Sequence, residues 1–131
     1  MTSSPKVKDY MSRDLVTVTP DMDLHRAIKL LLQRRVSGVP VLDGEGRLVG
    51  ILSKKDCLEV AFGASYHQDW AGPVSRYMSV DVETVDADAD LIEVADLFRK
   101  GRFRRYPVMR GGRIVGIIAR HDILRGLDEL W

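Results

Sequence analysis

The chain has 131 residues, enough for one domain or for two half-size units that share a core. Its 45% hydrophobic and 30% charged residues exclude a disordered chain, and its net charge of +1 provides no field that selects a polyanion or a membrane surface. A single cysteine, Cys57, excludes an internal disulfide, and no apolar run reaches the roughly 20 residues of a membrane helix. We therefore expect a cytoplasmic protein with neither a signal peptide nor a membrane span.

Two halves of the chain begin with the same succession of elements. Each opens on a short extended stretch, at residues 15–18 and 82–85, and continues with hydrophobic residues at helical spacing. These helical residues are Leu24, Ala27, Ile28, Leu31 and Leu32 in the first half, and Leu91, Val94, Ala95 and Phe98 in the second. Asp23 and Asp90 stand where the N-caps of these helices are expected.

A hairpin and a short helix complete each half. The strand GVPVL or RYPVM is followed by a glycine-containing turn and by a second strand, RLVGILS or RIVGIIA. The last helix starts near Ser53 or Ala119, and its side chains expected to face inwards include Leu58, Ile123, Leu124 and Leu127. The predicted order is strand, helix, strand, strand, helix, in copies at residues 7–62 and 74–128 that are joined by a loop at 63–73.

The likeness of the two halves extends to residue identity. The stretch from Val7 to Leu24 aligns with Val74 to Leu91, and ten of the 18 positions are identical where chance gives roughly one. After a hairpin turn that differs by one residue, RLVGILSKKDCL aligns with RIVGIIARHDIL, with six of 12 positions identical. The chain is therefore an internal duplication, and two copies favour a packed pair over a solenoid.

The duplicated order resembles the CBS domain, the family named for cystathionine β-synthase, and the tandem resembles a Bateman module. The markers are YMS before the first strand, Pro40 and Pro107 in the middle strand, and GILSKKD or GIIARHD after the third. The resemblance implies an α/β fold of two tandem β-α-β-β-α repeats related by a pseudo-twofold axis. It also implies two clefts for adenosine-containing ligands such as AMP, ADP, ATP or S-adenosylmethionine, and association into a homodimer.

The junction between the last strand and the last helix of the first copy carries the first candidate binding residues. A strand that runs into a helix at Ser53 exposes backbone N–H groups, which favour an anion such as a phosphate. Asp56 lies one turn further, and a carboxylate can accept both hydrogen bonds of a ribose diol. The resemblance implies these two roles. The alternative is that Ser53 is only an N-cap and Asp56 only a charge favoured by the helix dipole.

The second copy keeps the aspartate but not the serine. Asp122 stands in the equivalent place, whereas Ala119 removes the hydroxyl. We expect Arg120 and His121 to supply the lost phosphate contact, unless the second cleft is degenerate and filled by side chains or water.

The two copies also differ just before the middle strand. Ser37 and Gly38 align with Arg104 and Arg105, whose guanidinium groups suit a phosphate. The family's pattern implies the further members of each cleft. For the cleft of Asp56 they are Arg104, Arg105 and Val82, and for the cleft of Asp122 they are Ser37, Val39 and Leu15. The arginines make the Asp56 cleft the better phosphate site, unless they are solvated or paired with acidic neighbours.

A basic cluster offers an alternative. It consists of Arg99, Lys100, Arg102, Arg104, Arg105, Arg110 and Arg113. Such a cluster can bind nucleic acid, but it runs from a helix end over a strand and a turn, so its charges are expected to point several ways. Histidine and cysteine spacing predicts no metal site, and we expect Cys57 to be packed rather than reactive.

We therefore expect a stand-alone regulatory module that binds an adenosine-containing ligand, has neither catalytic residues nor a catalytic cofactor, and acts on an effector protein. The alternative from another class is a structural dimerisation module with non-functional clefts.

Overall fold

The computed structural model describes residues 4–59, 72–101 and 103–130. Its helices are α1 (Val7–Tyr10), α2 (Leu24–Arg34), α3 (54–59 within the described range), α4 (Leu91–Lys100) and α5 (Arg120–Leu130). Its strands are β1 (Gly38–Leu42), β2 (Leu48–Ser53), β3 (Val85–Asp86), β4 (Arg105–Arg110) and β5 (Arg113–Ala119), and Val74–Arg76 forms one 3-10 turn. The predicted α/β class is confirmed. Of the loop expected at 63–73, residues 63–71 lie outside the described residues.

The chain divides into two compact units. The first unit is Val16–Val82, and the second unit joins Met1–Leu15 to Glu83–Trp131. Within the described residues of either unit, no helix has the length and apolar character that crossing a bilayer requires.

The first unit packs α2 against the hairpin of β1 and β2. The two strands are antiparallel, with Gly38 opposite Ser53 and Pro40 opposite Ile51. The opening strand expected at 15–18 is reduced to one parallel bridge between Val18 and Val41. Buried apolar side chains from the helix, the hairpin and the 3-10 turn form the core, namely Val18, Leu24, Ala27, Leu31, Val39, Val41, Leu52 and Val74.

The second unit packs α4 and α5 with a three-stranded sheet. Its strand order is β3-β4-β5, with β3 parallel to β4 and β4 antiparallel to β5. The core contains an edge-to-face pair of Phe98 and Tyr106, whose ring centroids lie 5.0 Å apart. Such aromatic pairs add to the stabilisation that burial alone provides.

The first residues of each repeat pack in the compact unit that holds the rest of the other repeat. Ser12 and Ile117 exchange two backbone hydrogen bonds of 2.8 and 3.0 Å in the second unit. Ser79 and Ile51 do the same in the first unit, with lengths of 2.8 and 2.9 Å. Each YMS motif therefore adds a short antiparallel bridge to the second strand of a hairpin that belongs to the other copy.

Two glycines allow this close approach. A Cβ at Gly116 would lie 2.6 Å from Met11 Sδ, and a Cβ at Gly50 would lie 2.8 Å from Met78 Sδ. Both distances are shorter than packed side chains tolerate. The glycine after the first valine of RLVGILS and RIVGIIA is thus required by the methionine of a YMS motif.

The expected helix caps are confirmed. The Asp23 carboxylate accepts the Arg26 N–H at 3.3 Å, and the Asp90 carboxylate accepts the Ile92 N–H at 2.8 Å. Each bond satisfies one of the N–H groups that the start of a helix leaves without a partner.

Three leucines expected to face inwards are instead exposed. Leu32 is 65% exposed, Leu58 71% and Leu124 65%. Each follows a residue that does pack, as Leu32 follows the buried Leu31. Successive helical residues are rotated by about 100°, so a helix on a small sheet buries a stripe that these leucines lie outside.

Candidate functional site

The first candidate aspartate is held by a reciprocal capping box. Asp56 donates its backbone N–H to Ser53 Oγ at 3.0 Å, and Ser53 donates its backbone N–H to Asp56 Oδ2 at 2.9 Å. Ser53 is therefore an N-cap, as the alternative to a phosphate-binding role predicted. The same two hydrogen bonds also orient the Asp56 carboxylate. Asp56 is half-buried rather than turned into bulk solvent.

Ser79 is a further partner of Asp56, and the sequence did not predict it. Its hydroxyl lies 3.2 Å from Asp56 Oδ1 and 3.4 Å from Oδ2. The bridge to Ile51 places Ser79 beside the end of β2, where the carboxylate begins its helix. The recurring YMS motif was the signal that could have indicated this role, but its serine is 23 residues from Asp56 in the chain.

The second candidate aspartate repeats part of this geometry. Ala119 donates its backbone N–H to Asp122 Oδ2 at 2.9 Å, as Ser53 does to Asp56. Alanine has no hydroxyl to complete the box. Instead, Arg125 Nη2 lies 4.0 Å from Asp122 Oδ1, and the aspartate side chain is only 17% exposed.

The other candidate residues of the first unit differ in how deeply they are buried. Ser37 is exposed, and its backbone carbonyl accepts the Lys54 N–H at 2.8 Å, which ties β1 to the helix start. Val82 is half-buried. Val39 is 1% exposed and packs in the core. Its side chain is therefore inaccessible to a ligand, which could contact only its backbone.

The remaining candidates belong to the second unit. Leu15 is half-buried, while Arg104 and Arg120 are exposed. Arg105 is half-buried at the start of β4, and burial lowers the pKa of its guanidinium, with the charge of Arg104 acting in the same direction. Among the described residues, neither Arg104 nor Arg105 makes a side-chain hydrogen bond or salt bridge.

Three residues of the basic cluster form ion pairs with neighbouring aspartates. Arg99 and Lys100 each bind Asp96 at 2.8 Å, and Arg110 lies 3.6 Å from Asp88. Arg102 lies outside the described residues. Charges that are already paired contribute less to the attraction of a phosphate backbone, so this geometry does not favour a nucleic-acid surface.

Cys57 is packed, as predicted. It is half-buried against the core of the first unit. Burial raises the pKa of its thiol, and the neighbouring Asp56 carboxylate adds to the effect. The thiol form is therefore favoured over the reactive thiolate.

Solved structures share this architecture. A crystal structure of CBSX2 in complex with AMP superimposes with a TM-score of 0.83 at 28% identity, and covers 95% of this chain and 97% of that one. CBSX2 is a CBS-pair protein from Arabidopsis thaliana. The CBS domain pair of protein MJ0100, crystallised with 5′-methylthioadenosine and S-adenosyl-L-methionine, has a TM-score of 0.80 at 25% identity, with 98% and 100% coverage.

Relatives by sequence differ in length. The chain is 30% identical to the CBS domain-containing protein YhcV of Bacillus subtilis over 89% of this chain and 81% of the relative. Other relatives are much longer. The chain spans 22% of the inosine-5′-monophosphate dehydrogenase of Aquifex aeolicus, at 32% identity, and 14% of the A-adding tRNA nucleotidyltransferase of the same organism, at 30% identity.

The family model for the CBS domain matches the chain twice. The matched residues are 7–63 and 74–129, which correspond to the two copies of the internal duplication. The two hairpins, the two aspartates at helix starts and these two matches agree, and the chain belongs to the CBS domain family as a tandem pair.

Proposed function

We propose that this protein is a regulatory module that binds an adenosine-containing ligand through Asp56 and Asp122 and performs no chemistry of its own. The observation that carries the proposal is the repeated placement of the two carboxylates. Each accepts the backbone N–H three residues earlier, at 2.9 Å, from the last residue of a strand. A duplication preserved at this level of geometry favours a common task.

The chemistry of a held carboxylate suits a ribose. The backbone bond uses one lone pair of Oδ2 and fixes the plane of the group, which leaves further acceptor positions on both oxygens. The two adjacent hydroxyls of a ribose are donors at a matching separation. Hydrogen bonds to an ionised acceptor are stronger than neutral ones, and a fixed acceptor loses little conformational entropy on binding.

The ligands of the structural neighbours support recognition of the ribose. AMP carries a phosphate, whereas 5′-methylthioadenosine and S-adenosyl-L-methionine do not, and all three carry adenosine. A carboxylate that recognises the ribose is compatible with all three ligands. We therefore assign Asp56 and Asp122 to the ribose. Contacts of Arg104, Arg105 and Arg120 with a phosphate stay predictions.

Regulation would follow from the ligand's preference among conformations. A bound ligand shifts an equilibrium only by its differential affinity for the states, so the module must present two arrangements to an effector protein. The effector is expected to read that difference.

The proposal is tested by melting the wild-type chain with AMP, ADP, ATP or S-adenosylmethionine at about millimolar concentration, where linkage raises the melting temperature. Asp56→Asn and Asp122→Asn are the informative variants, because asparagine keeps one oxygen for the cap and loses the second acceptor. Each should reduce the ligand-induced shift, and the double variant should abolish it. Asp128→Asn, a substitution of an exposed aspartate further along α5, is the control. No shift with any of the four ligands overturns the proposal.

An association module is the second candidate, favoured by exposed apolar side chains. Leu58 and Leu124 occupy equivalent positions of the two copies and are both mostly exposed. A homodimer that buried the last helix of each copy would cover these side chains. Sedimentation with and without AMP separates the candidates. A dimer that ignores both nucleotide and Asp56→Asn supports pure association, whereas a Leu58→Ser, Leu124→Ser chain that sediments like the wild type contradicts it.

A further inference from the structure

Arg125 is held in place by residues of the leading segment of the chain. Its Nη2 donates to the Tyr10 carbonyl oxygen at 3.0 Å, and its guanidinium carbon lies 5.6 Å from the centroid of the Tyr10 ring. The Tyr10 hydroxyl in turn donates to Glu129, one turn further along α5. The Arg125 guanidinium is therefore restrained both at its hydrogen-bonding edge and at its face. It has little rotamer freedom left to lose when a ligand binds.

The guanidinium of Arg125 also lies beside the Asp122 carboxylate. Nη2 is 4.0 Å from Oδ1, which is close enough for electrostatic attraction and too long for a hydrogen bond. Arg125 therefore compensates the charge of the carboxylate and leaves the hydrogen-bonding positions of Oδ1 open. Asp56 differs, because the Ser79 hydroxyl lies 3.2 Å from its Oδ1.

The charge one helical turn after each aspartate also differs. In the alignment of the copies, Arg125 corresponds to Glu59. Residues three apart on a helix are neighbours, so Asp122 is followed by a cation and Asp56 by a second anion. The two half-sites share the backbone bond to the aspartate and differ in the sign of the charge three residues after it.

We propose that Arg125 is a specificity-determining residue that makes the Asp122 half-site select adenosine ligands that carry negative charge, such as adenosine 5′-phosphates. This inference rests on the proposed function and deepens it. A ligand that buries Asp122 removes water from the carboxylate, and a fixed cation reduces that cost. The same cation attracts a phosphate on the ligand. Adenosine carries no net charge, so it gains no such attraction. The inference thus assigns the charged ligand to the opposite half-site from the one that Arg104 and Arg105 suggested.

The test uses the full chain with Asp56→Asn, so that Asp122 is the half-site left intact. Affinities for AMP and for adenosine are measured by calorimetry in this background with Arg125, Arg125→Gln and Arg125→Lys. We expect Arg125→Gln to weaken AMP binding roughly two- to fivefold, which is the range of an exposed ion pair. Adenosine binding should weaken much less. Arg125→Lys keeps the charge and should keep the ratio of the two affinities. Arg113→Gln removes an exposed charge of the same unit and is the matched control.

Each outcome decides the inference. An AMP-to-adenosine ratio that falls in Arg125→Gln and is preserved in Arg125→Lys and Arg113→Gln supports it. An unchanged ratio in Arg125→Gln overturns it, as does an equal fall in Arg113→Gln, which would indicate a general field. Loss of both ligands from the Asp56→Asn chain also overturns it, while binding by the wild-type chain would still uphold the proposed function. If the wild-type chain binds no adenosine ligand, the proposed function itself is wrong.

Discussion

The hydroxyl of Ser79 lies within hydrogen-bonding distance of both carboxylate oxygens of Asp56, at 3.2 and 3.4 Å. The contact joins the YMS motif near the start of the second repeat to the aspartate that opens the last helix of the first repeat. A residue of one copy thereby orients the candidate ligand group of the other, so the half-site depends on the exchanged packing of the two leading segments.

Removal of this hydroxyl should destabilise the fold slightly. We expect Ser79→Ala to lower the free energy of unfolding by at most about 1 kcal/mol, because a partly solvated hydrogen bond is lost. Urea denaturation measures the change. Ser12→Ala, at the equivalent position of the other YMS motif, is the matched control, since no hydrogen bond from its hydroxyl to Asp122 is present among the described residues. An equal loss in both variants contradicts the role of the Ser79 contact.

The missing hydroxyl of the second copy can be restored. Ala119→Ser should raise the free energy of unfolding by about 0.5–1 kcal/mol, because a serine there can accept the Asp122 N–H and complete the capping box. Ser53→Ala should have the opposite sign, since it removes the bond of 3.0 Å from Asp56. Thermal or urea unfolding of the two variants checks both signs, and a destabilised Ala119→Ser chain would show that the second helix start differs.

The YMS motifs pack so closely against two glycines that substitution of either glycine should destabilise the fold. Gly116→Ala should cost about 1–3 kcal/mol, because its Cβ would meet Met11 Sδ at 2.6 Å and the Ser12 carbonyl oxygen at 2.8 Å. Gly50→Ala should cost a similar amount for the same reason. Gly44→Ala, in the first hairpin turn with nothing within 4 Å of its Cβ, is the control. A Gly116→Ala chain as stable as the Gly44→Ala chain would contradict the packing.

Acid should weaken the fold through paired carboxylates. Hydrogen bonds from Lys100 and Arg99 lower the pKa of Asp96 below its usual 3.8, and Lys8 does the same for Asp88. The folded state binds the proton less readily than the unfolded state, so this stabilisation is complete above pH 3.8 and is lost as the pH falls through the lowered pKa. Urea midpoints measured across this range should fall less steeply in Asp96→Asn than in the wild type. Parallel curves would contradict the prediction.

Cys57 should react slowly in the native chain. Burial and the Asp56 charge raise the pKa of its thiol above the usual 9.0, so less thiolate is available. We expect alkylation by iodoacetamide at about pH 8 to accelerate several-fold in urea. Equal rates in the folded and unfolded chains would show that the thiol is not protected.

The candidate site was predictable to the extent that it depends on neighbours in the chain. Ser53 and Asp56 are three residues apart, and their place at the end of an apolar strand already predicts an N-cap followed by a carboxylate in the first helical turn. The duplication revealed Asp122 by the same spacing. Ser79 and Arg125 escaped prediction because the first contacts Asp56 across 23 residues, and the second is anchored to Tyr10 across 115 residues.

The sequence alone determined the order of helix, hairpin and helix in each copy, the caps at Asp23 and Asp90 and the two aspartates at helix starts. Hydrophobic period and capping are set by residues within one or two turns. The tertiary structure decided which copy each YMS motif joins and that Leu32, Leu58 and Leu124 face outwards. It also decided which group lies beside each aspartate, a hydroxyl for Asp56 and a guanidinium for Asp122. These features depend on which distant segments meet, and local propensity does not encode that choice.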